Sequence, residues 1–160
     1  MYELTSEQDE RIDWGKTSTD YARHRPGPPP SFYRRLKALD IGLTSQQLLD
    51  LGTGTGVIAR QMAKQGCHVI ASDISAEQIR MAAALAKSDK VRVDFQVASA
   101  EATHAPAHSL DVVTANQCFL YFNTQQVLAN LSGWLRPGWQ GANYTGLTRP
   151  NYPGLSRQMH

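Results

Sequence analysis

The sequence predicts an α/β fold, a three-layer α/β/α sandwich with a mainly parallel sheet. Two observations support it. Short apolar segments alternate with amphipathic segments from residue 47 to residue 135, as in βαβ units. The crossovers of such units are right-handed and place helices on both faces of the sheet. A glycine-rich stretch lies at the first strand–helix junction, and in these sheets ligands bind where the strands end.

Local signals place the elements along the chain. The predicted strands are 48–51, 67–72, 91–97 and 110–115. A helix is predicted over 57–65 and ends at Gly66, and a second begins after the N-cap Ser75 and runs to about Lys87. A third begins after Asn123 and runs to Leu135, where residues 137–138 (Pro-Gly) stop it.

The two ends of the chain differ from this middle part. Residues 1–30 are polar and then proline-rich, which predicts an extended arm, and Ser31 is the predicted N-cap of a short helix. Residues 139–160 are rich in glycine and proline without a strand or helix period, which predicts an irregular tail. The fourth strand is then an uncovered sheet edge. The predicted divisions are an arm over 1–30, a core over 31–138 and the tail.

Composition narrows the class of protein. The 160 residues amount to one domain, and a net charge of +2 gives no strong attraction to nucleic acid or membranes. No apolar run approaches the ~20 residues that span a bilayer, and the first residues lack a secretory signal pattern, so a cytoplasmic protein is expected. Cys67 and Cys118 have no metal-type spacing and are predicted to be free thiols; no metal site is predicted.

The glycine-rich stretch is the strongest functional signal. Residues 50–56 read Asp-Leu-Gly-Thr-Gly-Thr-Gly, and glycines allow a tight turn and close approach of a ligand to the backbone. The part from Gly54 to Ala59 also fits the dinucleotide fingerprint. Asp73, at the end of the second strand, lies where an acid binds ribose hydroxyls. These residues alone leave NAD and S-adenosylmethionine both open.

Asp50 and the later segments make the resemblance specific. Residues 50–56 and 72–75 resemble motifs one and two of class I S-adenosylmethionine-dependent methyltransferases, which have a Rossmann-like fold. Residues 97–102 resemble the loop after that family's third strand, and 110–116 its fourth strand. Residues 131–138 resemble the family's helix with its Leu-Lys/Arg-Pro-Gly exit. The resemblance covers about residues 30–138 in order.

The lead-in narrows the resemblance to a subgroup. Residues 21–29 resemble the Tyr-x-x-x-Arg-Pro-x-x-Pro segment of a small-molecule subgroup similar to methyltransferase types 11 and 25. In that subgroup the tyrosine and the arginine close over the cofactor, so the resemblance implies this role for Tyr21 and Arg25. An arginine also suits the methionine carboxylate of the cofactor.

The resemblance implies a cofactor site around the glycine loop. Gly52, Gly54 and Gly56 are expected to line the methionine end of S-adenosylmethionine. Asp50 is expected to orient that loop or the amino group, and Asp73 to bind the ribose hydroxyls.

Two further loops complete the implied site. Ile74 belongs to the second motif and is counted with the cofactor-binding residues. Ser99, Ala100 and Glu101 are expected to border the adenine, with serine at a position where the family often has aspartate. The residues expected to face the methyl group are Asn116 and Gln117.

Methyl transfer from a sulfonium is a one-step displacement, so no catalytic residue is assigned and neither a triad nor a metal is expected. His104, His108 and Tyr121 lie in loops near the site, with a surface or packing role favoured for each. The end of the fourth strand lacks the signatures of amino-directed and cytosine-C5 nucleic-acid enzymes, which favours a small-molecule acceptor. The family normally continues after residue 138 with a fifth strand and an antiparallel pair, so the tail is interpreted as a truncation or an altered reading frame.

Two alternatives to an active methyltransferase stay open. One is an NAD(P)-binding oxidoreductase that uses the same glycine loop. The other is a catalytically inactive fragment that binds S-adenosylmethionine. Fold ancestry does not by itself decide between them and an active enzyme.

Overall fold

The structure of the protein is a computed structural model and describes residues 27–116, 118–137, 139–143 and 147–150. The helices are α1 (Pro30–Ala38), α2 (Val57–Lys64), α3 (Ala76–Ser88) and α4 (Thr124–Trp134). The strands are β1 (Gln47–Leu51), β2 (His68–Asp73), β3 (Asp94–Val97), β4 (Val112–Thr114), β5 (Trp139–Asn143) and β6 (Leu147–Pro150). A short 3₁₀ helix covers Phe119–Tyr121.

One sheet contains all six strands in the order β3-β2-β1-β4-β6-β5. The four strands from β3 to β4 are parallel, and β6 pairs antiparallel with both β4 and β5. The sheet is therefore mainly parallel, as the strand–helix alternation predicts.

Both faces of the sheet carry an apolar core. Leu48 and Leu49 are adjacent on β1 and point to opposite faces, as strand geometry requires. Leu48 joins a cluster with α1 and α2 that includes Met62, and Leu49 joins a cluster with α4 that includes Leu131. Helices thus cover the sheet on both sides, which confirms the predicted three-layer architecture.

Two predicted helix caps are confirmed. The Ser75 hydroxyl accepts a hydrogen bond from the Gln78 N–H at the start of α3, and the Asn123 side chain accepts one from the Gln126 N–H at the start of α4. The predicted Ser31 cap is wrong. Helix α1 begins one residue earlier, at Pro30, because a proline has no N–H to satisfy and its fixed φ fits the first helical turn.

The irregular-tail prediction is also wrong where the structure describes the tail. Strands β5 and β6 form an antiparallel pair, and β6 covers the outer edge of β4. Glycine and proline obscure the side-chain pattern of a strand, but ladder hydrogen bonds come from the backbone. The free N–H and C=O groups of the β4 edge are a ready template for such pairing.

The third strand is shorter than predicted and starts at Asp94 instead of Val91. The Val91 N–H donates to the Ala86 carbonyl across the end of α3, and Lys90 has a φ of 57°. This closure of the helix end uses the backbone group that a longer strand would need.

Candidate active site

The carboxyl ends of the parallel strands meet at one edge of the sheet. In the strand register Asp50 is paired with Thr114 of β4, and Asp73 with Val97 of β3. The loops that leave these strands begin at residues 52, 74, 98 and 115. The candidate site lies at this edge, where α/β sheets bind their ligands.

The glycine loop combines close packing with one open position. Gly52, Gly54 and Gly56 all have positive φ, between 57° and 74°, which favours glycine at each. A Cβ on Gly52 would lie 2.6 Å from the Cys118 Sγ, and one on Gly56 3.2 Å from the Ala82 Cβ. A Cβ on Gly54 would meet nothing within 4 Å. Gly54 therefore presents bare backbone to open space, as a ligand cradle requires.

Asp73 ties the second strand to the glycine loop. Its Oδ2 accepts a hydrogen bond of 2.9 Å from the Gly54 N–H, and its Oδ1 accepts one of 2.9 Å from the Ser75 N–H. The side chain is half-buried at the sheet edge. Each carboxylate oxygen has a second acceptor position, so Asp73 retains capacity for two ligand hydroxyls.

Asp50 lies beneath the loop and is 3% exposed. Its Oδ2 accepts a hydrogen bond of 2.6 Å from the Thr53 hydroxyl, and its Oδ1 accepts one from the Thr114 hydroxyl. Burial raises the pKa of Asp50 to about 6, although both threonine hydroxyls favour the ionised form and the Asp73 charge opposes it. The carboxylate thus joins β1, β4 and the glycine loop.

The loop after β3 is held by hydrogen bonds of its own. The Ser99 hydroxyl accepts from the Ala102 N–H at 3.2 Å, and Ala100 is buried against the α4 side of the core. The Glu101 carboxylate accepts from the Asn123 N–H at 2.6 Å. Partial burial raises the pKa of Glu101, but this backbone hydrogen bond and others outweigh it, so its pKa lies below the usual value. Glu101 anchors this loop to the start of α4.

Apolar side chains are exposed at the same edge. Ile74 is 71% exposed directly after β2, and Val97 is 56% exposed at the end of β3 beside it. Leu120 is 94% exposed in the 3₁₀ helix after β4. Sequence reasoning included Ile74 but missed Val97 and Leu120. The signal available for Val97 was its place at the end of the predicted strand 91–97. Leu120 lies five positions after the predicted strand 110–115 and had no such signal.

Not every predicted site residue can be compared with the structure. Asn116 is exposed two positions beyond the end of β4. Tyr21, Arg25 and Gln117 lie outside the described residues. Within the described part of the chain, the structure brings together at the sheet edge Asp50, Gly52, Gly54, Gly56, Asp73, Ile74, Ser99, Ala100, Glu101 and Asn116.

The residues for which a surface or packing role was favoured, and the predicted free thiol Cys118, occupy varied positions. His104 is exposed and its backbone bonds the Gln96 side chain, while the His108 Nδ1 lies 3.1 Å from the Leu135 carbonyl. Tyr121 is exposed. Cys118 is partly buried, and its thiol donates to the Leu51 carbonyl at 3.3 Å. Burial and the nearby charges of two aspartates raise the pKa of Cys118 to about 12.

Metal-type clusters and membrane-spanning helices are both absent from the described residues. No group of three or more His, Cys, Asp or Glu side chains suited to a metal ion occurs in the ranges described above. None of the helices in the described part of the chain is long and apolar enough to cross a membrane.

The fold and this edge define an α/β domain of the nucleotide-binding kind, and comparison with known proteins identifies the family. Residues 48–138 match the family described as "Methyltransferase domain". The chain belongs to this methyltransferase family, whose cofactor is S-adenosylmethionine. Family membership favours this cofactor over NAD and confirms the resemblance drawn from the glycine motif.

Individual relatives agree with this assignment. Ubiquinone biosynthesis O-methyltransferase of Pectobacterium atrosepticum is 35% identical over 100 residues, which are 61% of this chain and 41% of that protein. Methyltransferase ptaI of Pestalotiopsis fici is 28% identical over 147 residues, covering 84% of this chain and 43% of that protein. The chain therefore covers about two fifths of the length of these curated relatives.

A solved structure extends the likeness to the fold. Phosphoethanolamine N-methyltransferase 2 of Haemonchus contortus, in complex with S-adenosyl-L-methionine, superposes with a TM-score of 0.62. It is 26% identical over 74% of this chain and 30% of that chain.

Proposed function

We propose that this chain binds S-adenosylmethionine at the carboxyl edge of its sheet and transfers the methyl group to a small-molecule acceptor. The observation that carries the proposal is the arrangement at Gly54. Its Cα faces open space and its N–H donates to the Asp73 carboxylate, so bare backbone and an acidic acceptor adjoin. This combination suits a ligand with a ribose and a charged amino-acid end.

The proposed contacts follow the strand ends. Gly52, Gly54 and Gly56 form the cradle for the methionine end, with Asp50 supporting it from below. Asp73 has acceptor positions left for the ribose hydroxyls. The remaining proposed contacts are Ile74 and Val97 on the faces of the adenine, Ser99, Ala100 and Glu101 around its edge, and Asn116 and Gln117 towards the methyl group.

The N-terminal arm is proposed to contribute Tyr21 and Arg25. Gly27, the first described residue, supports this placement. A Cβ on Gly27 would lie 2.4 Å from a methyl carbon of Val57, the first residue of α2. The chain therefore passes directly beside the helix that follows the glycine loop, two positions after Arg25. The divisions 1–30 for the arm and 31–138 for the core remain part of this proposal.

Methyl transfer requires the protein mainly to position the two reactants. S-adenosylmethionine supplies a methyl group on a positively charged sulfur, which makes it reactive towards an oxygen, nitrogen or carbon nucleophile. Holding the acceptor in line and excluding water lowers the barrier without a covalent step on the protein. The exposed apolar side chains at the edge, Ile74, Val97 and Leu120, fit a role in shielding the reacting groups once ligands bind.

The acceptor is proposed to be a small molecule carrying oxygen or nitrogen. One similar protein is named as an O-methyltransferase of ubiquinone biosynthesis and another as a phosphoethanolamine N-methyltransferase. The net charge of +2 gives no support for a nucleic-acid or membrane partner. A cytoplasmic location fits this proposal.

Calorimetric titration with S-adenosylmethionine, S-adenosylhomocysteine and NAD tests the proposal. We expect binding of the two sulfur nucleotides and none of NAD. Asp73→Asn keeps the side-chain shape but removes charged acceptors, and should weaken binding roughly ten- to a hundredfold. Asp94→Asn is the matched control, because Asp94 is an exposed carboxylate on the adjacent strand β3.

Three outcomes would contradict the proposal. A folded chain that binds neither sulfur nucleotide has no working cofactor site. Binding of NAD alone would restore the oxidoreductase alternative. Binding of cofactor without transfer to any member of a panel of oxygen and nitrogen acceptors would identify the chain as a cofactor-binding fragment.

A further inference from the structure

A buried hydrogen-bond chain connects β4 to the glycine loop through Asp50. Thr114 donates to one oxygen of the Asp50 carboxylate and Thr53 to the other. We infer that Thr114 is a positioning residue, which acts through Asp50 and Thr53 to hold the glycine loop in its cofactor-binding conformation. This inference rests on the proposed function, because the loop it positions is the proposed cofactor cradle.

The two hydrogen bonds fix the orientation of the Asp50 carboxylate. Asp50 and Thr114 are register partners on adjacent parallel strands, and both are buried. Two donors on different oxygens fix the plane of the carboxylate, so its Oδ2 is aimed at Thr53. A carboxylate bonded on one side only would be free to rotate about its last side-chain bond.

Thr53 transmits this constraint to the loop. It lies between the two glycines nearest β1, and its N–H donates to the Ser72 carbonyl while its own carbonyl accepts from the Gly56 N–H. Side-chain and backbone bonds together fix the peptide that leads into Gly54. The open position at Gly54 thus depends on a residue contributed by a strand that the sequence places 64 positions from Asp50.

The chain of bonds depends on an ionised Asp50. A carboxylate accepts from both threonines, whereas a protonated carboxyl has one oxygen that must donate. The neighbouring titratable groups come from three elements: Asp73 at the end of β2, Tyr33 on α1 and Cys118 after β4. The pKa values of Tyr33 and Cys118 are raised, so both stay neutral at neutral pH, and Asp73 adds negative charge.

The test is the affinity for S-adenosylhomocysteine from about pH 5.5 to about pH 8.5 in the full chain. Thr114→Val keeps the shape but removes the hydroxyl, and Thr114→Ser restores the donor. In the wild type we expect binding to strengthen as pH rises through about 6. Loss of one hydrogen bond to a charged group should raise this midpoint by about one to two pH units.

The expected result at neutral pH is affinity about two- to tenfold weaker in Thr114→Val than in the wild type. The difference should narrow towards the alkaline end but not vanish, because an ionised Asp50 bonded by Thr53 alone still rotates more freely. Thr114→Ser should keep the wild-type midpoint. Thr103→Val is the control for loss of a buried threonine hydroxyl that bonds Ser72 and Ser99 instead of Asp50. Because Ser99 belongs to the proposed adenine site, this control is judged by its midpoint, which should equal that of the wild type, and not by its affinity. Titration of the ligand's own amine is common to all variants and cancels in the ratios.

The outcomes separate this inference from the proposed function. If Thr114→Val binds S-adenosylhomocysteine with the affinity and the midpoint of the wild type, only the positioning role of Thr114 is overturned. A loss of affinity that is equal at every pH, with the midpoint of the wild type, shows a merely structural role and also overturns it. A folded wild type that binds no S-adenosylhomocysteine overturns the proposed function and this inference with it.

Discussion

Substituting Asp50 with asparagine tests whether its ionised carboxylate lowers the stability of the fold. Burial raises the pKa of Asp50 from its usual 3.8 to about 6 in the folded chain. A carboxyl whose pKa is higher in the folded than in the unfolded state binds more protons when folded between those two values. Its stabilising contribution is therefore full below about pH 4 and is lost as the pH rises through about 6.

The size of this effect follows from the shift. Each pKa unit corresponds to about 1.4 kcal/mol, so a shift of about two units lowers the free energy of unfolding by up to about 3 kcal/mol at neutral pH. Asparagine has nearly the same shape but does not titrate. Asp50→Asn should therefore become more stable relative to the wild type as the pH rises, by up to about 3 kcal/mol between about pH 4 and about pH 7.

Urea unfolding of both proteins at a series of pH values measures this difference, and subtraction cancels the other titrating groups. Relative to the wild type, the affinity of Asp50→Asn for S-adenosylhomocysteine should fall over the same range, because only the wild-type site gains the ionised carboxylate. Stability and binding would then change in opposite directions, as at sites where function conflicts with stability. A stability difference that does not vary with pH would refute the assigned desolvation of Asp50.

Three further predictions can be checked by denaturant unfolding. Gly52→Ala should destabilise the fold more than Gly54→Ala, because both positions have positive φ but only a Cβ at Gly52 meets Cys118. Adding Cys118→Ala should narrow this difference in stability, and equal losses in the two single variants would contradict the packing described. Glu101→Gln should lower the free energy of unfolding by less than about 1 kcal/mol at neutral pH and by nothing once acid protonates the carboxyl. The stabilising contribution of Glu101 is present above its usual pKa and disappears as the pH falls, so a loss of stability that persists in acid would contradict this role. Leu131→Ala should cost about 2–5 kcal/mol by leaving a cavity against the sheet, and a loss below about 1 kcal/mol would mean that α4 packs differently.

The parts of the fold that the sequence predicted are those with strong local signals. Ser75 and Asn123 cap their helices as expected, because a cap needs only a short polar side chain and the N–H groups just after it. The alternation of strands and helices, which is also a pattern of neighbouring residues, predicted the parallel sheet. Local patterns did not predict β5 and β6, since an antiparallel pair forms through backbone hydrogen bonds to an edge that only the folded sheet provides.

The candidate site likewise contains residues with a local sequence signal and residues without one. Gly52, Gly54 and Asp73 form a recognisable motif because a ligand imposes their spacing. Thr114 could not be found from the sequence, because its role depends on the register that pairs it with Asp50 across two strands. A threonine in a short apolar strand is also an ordinary β-sheet residue, so nothing in its neighbours marks it.

The Cys118 thiol lies beside the proposed cofactor cradle, in the described part of the site, but is kept neutral. A thiolate beside the cradle would itself be a nucleophile towards a sulfonium methyl group. Burial and the charges of Asp50 and Asp73 raise the pKa of this thiol to about 12, so it stays neutral and packs against Gly52. Burial, reinforced by the two carboxylates of the proposed cofactor site, thus keeps the neighbouring sulfur unreactive. In the proposed reaction the nucleophile comes from the acceptor, and these residues supply position and charge.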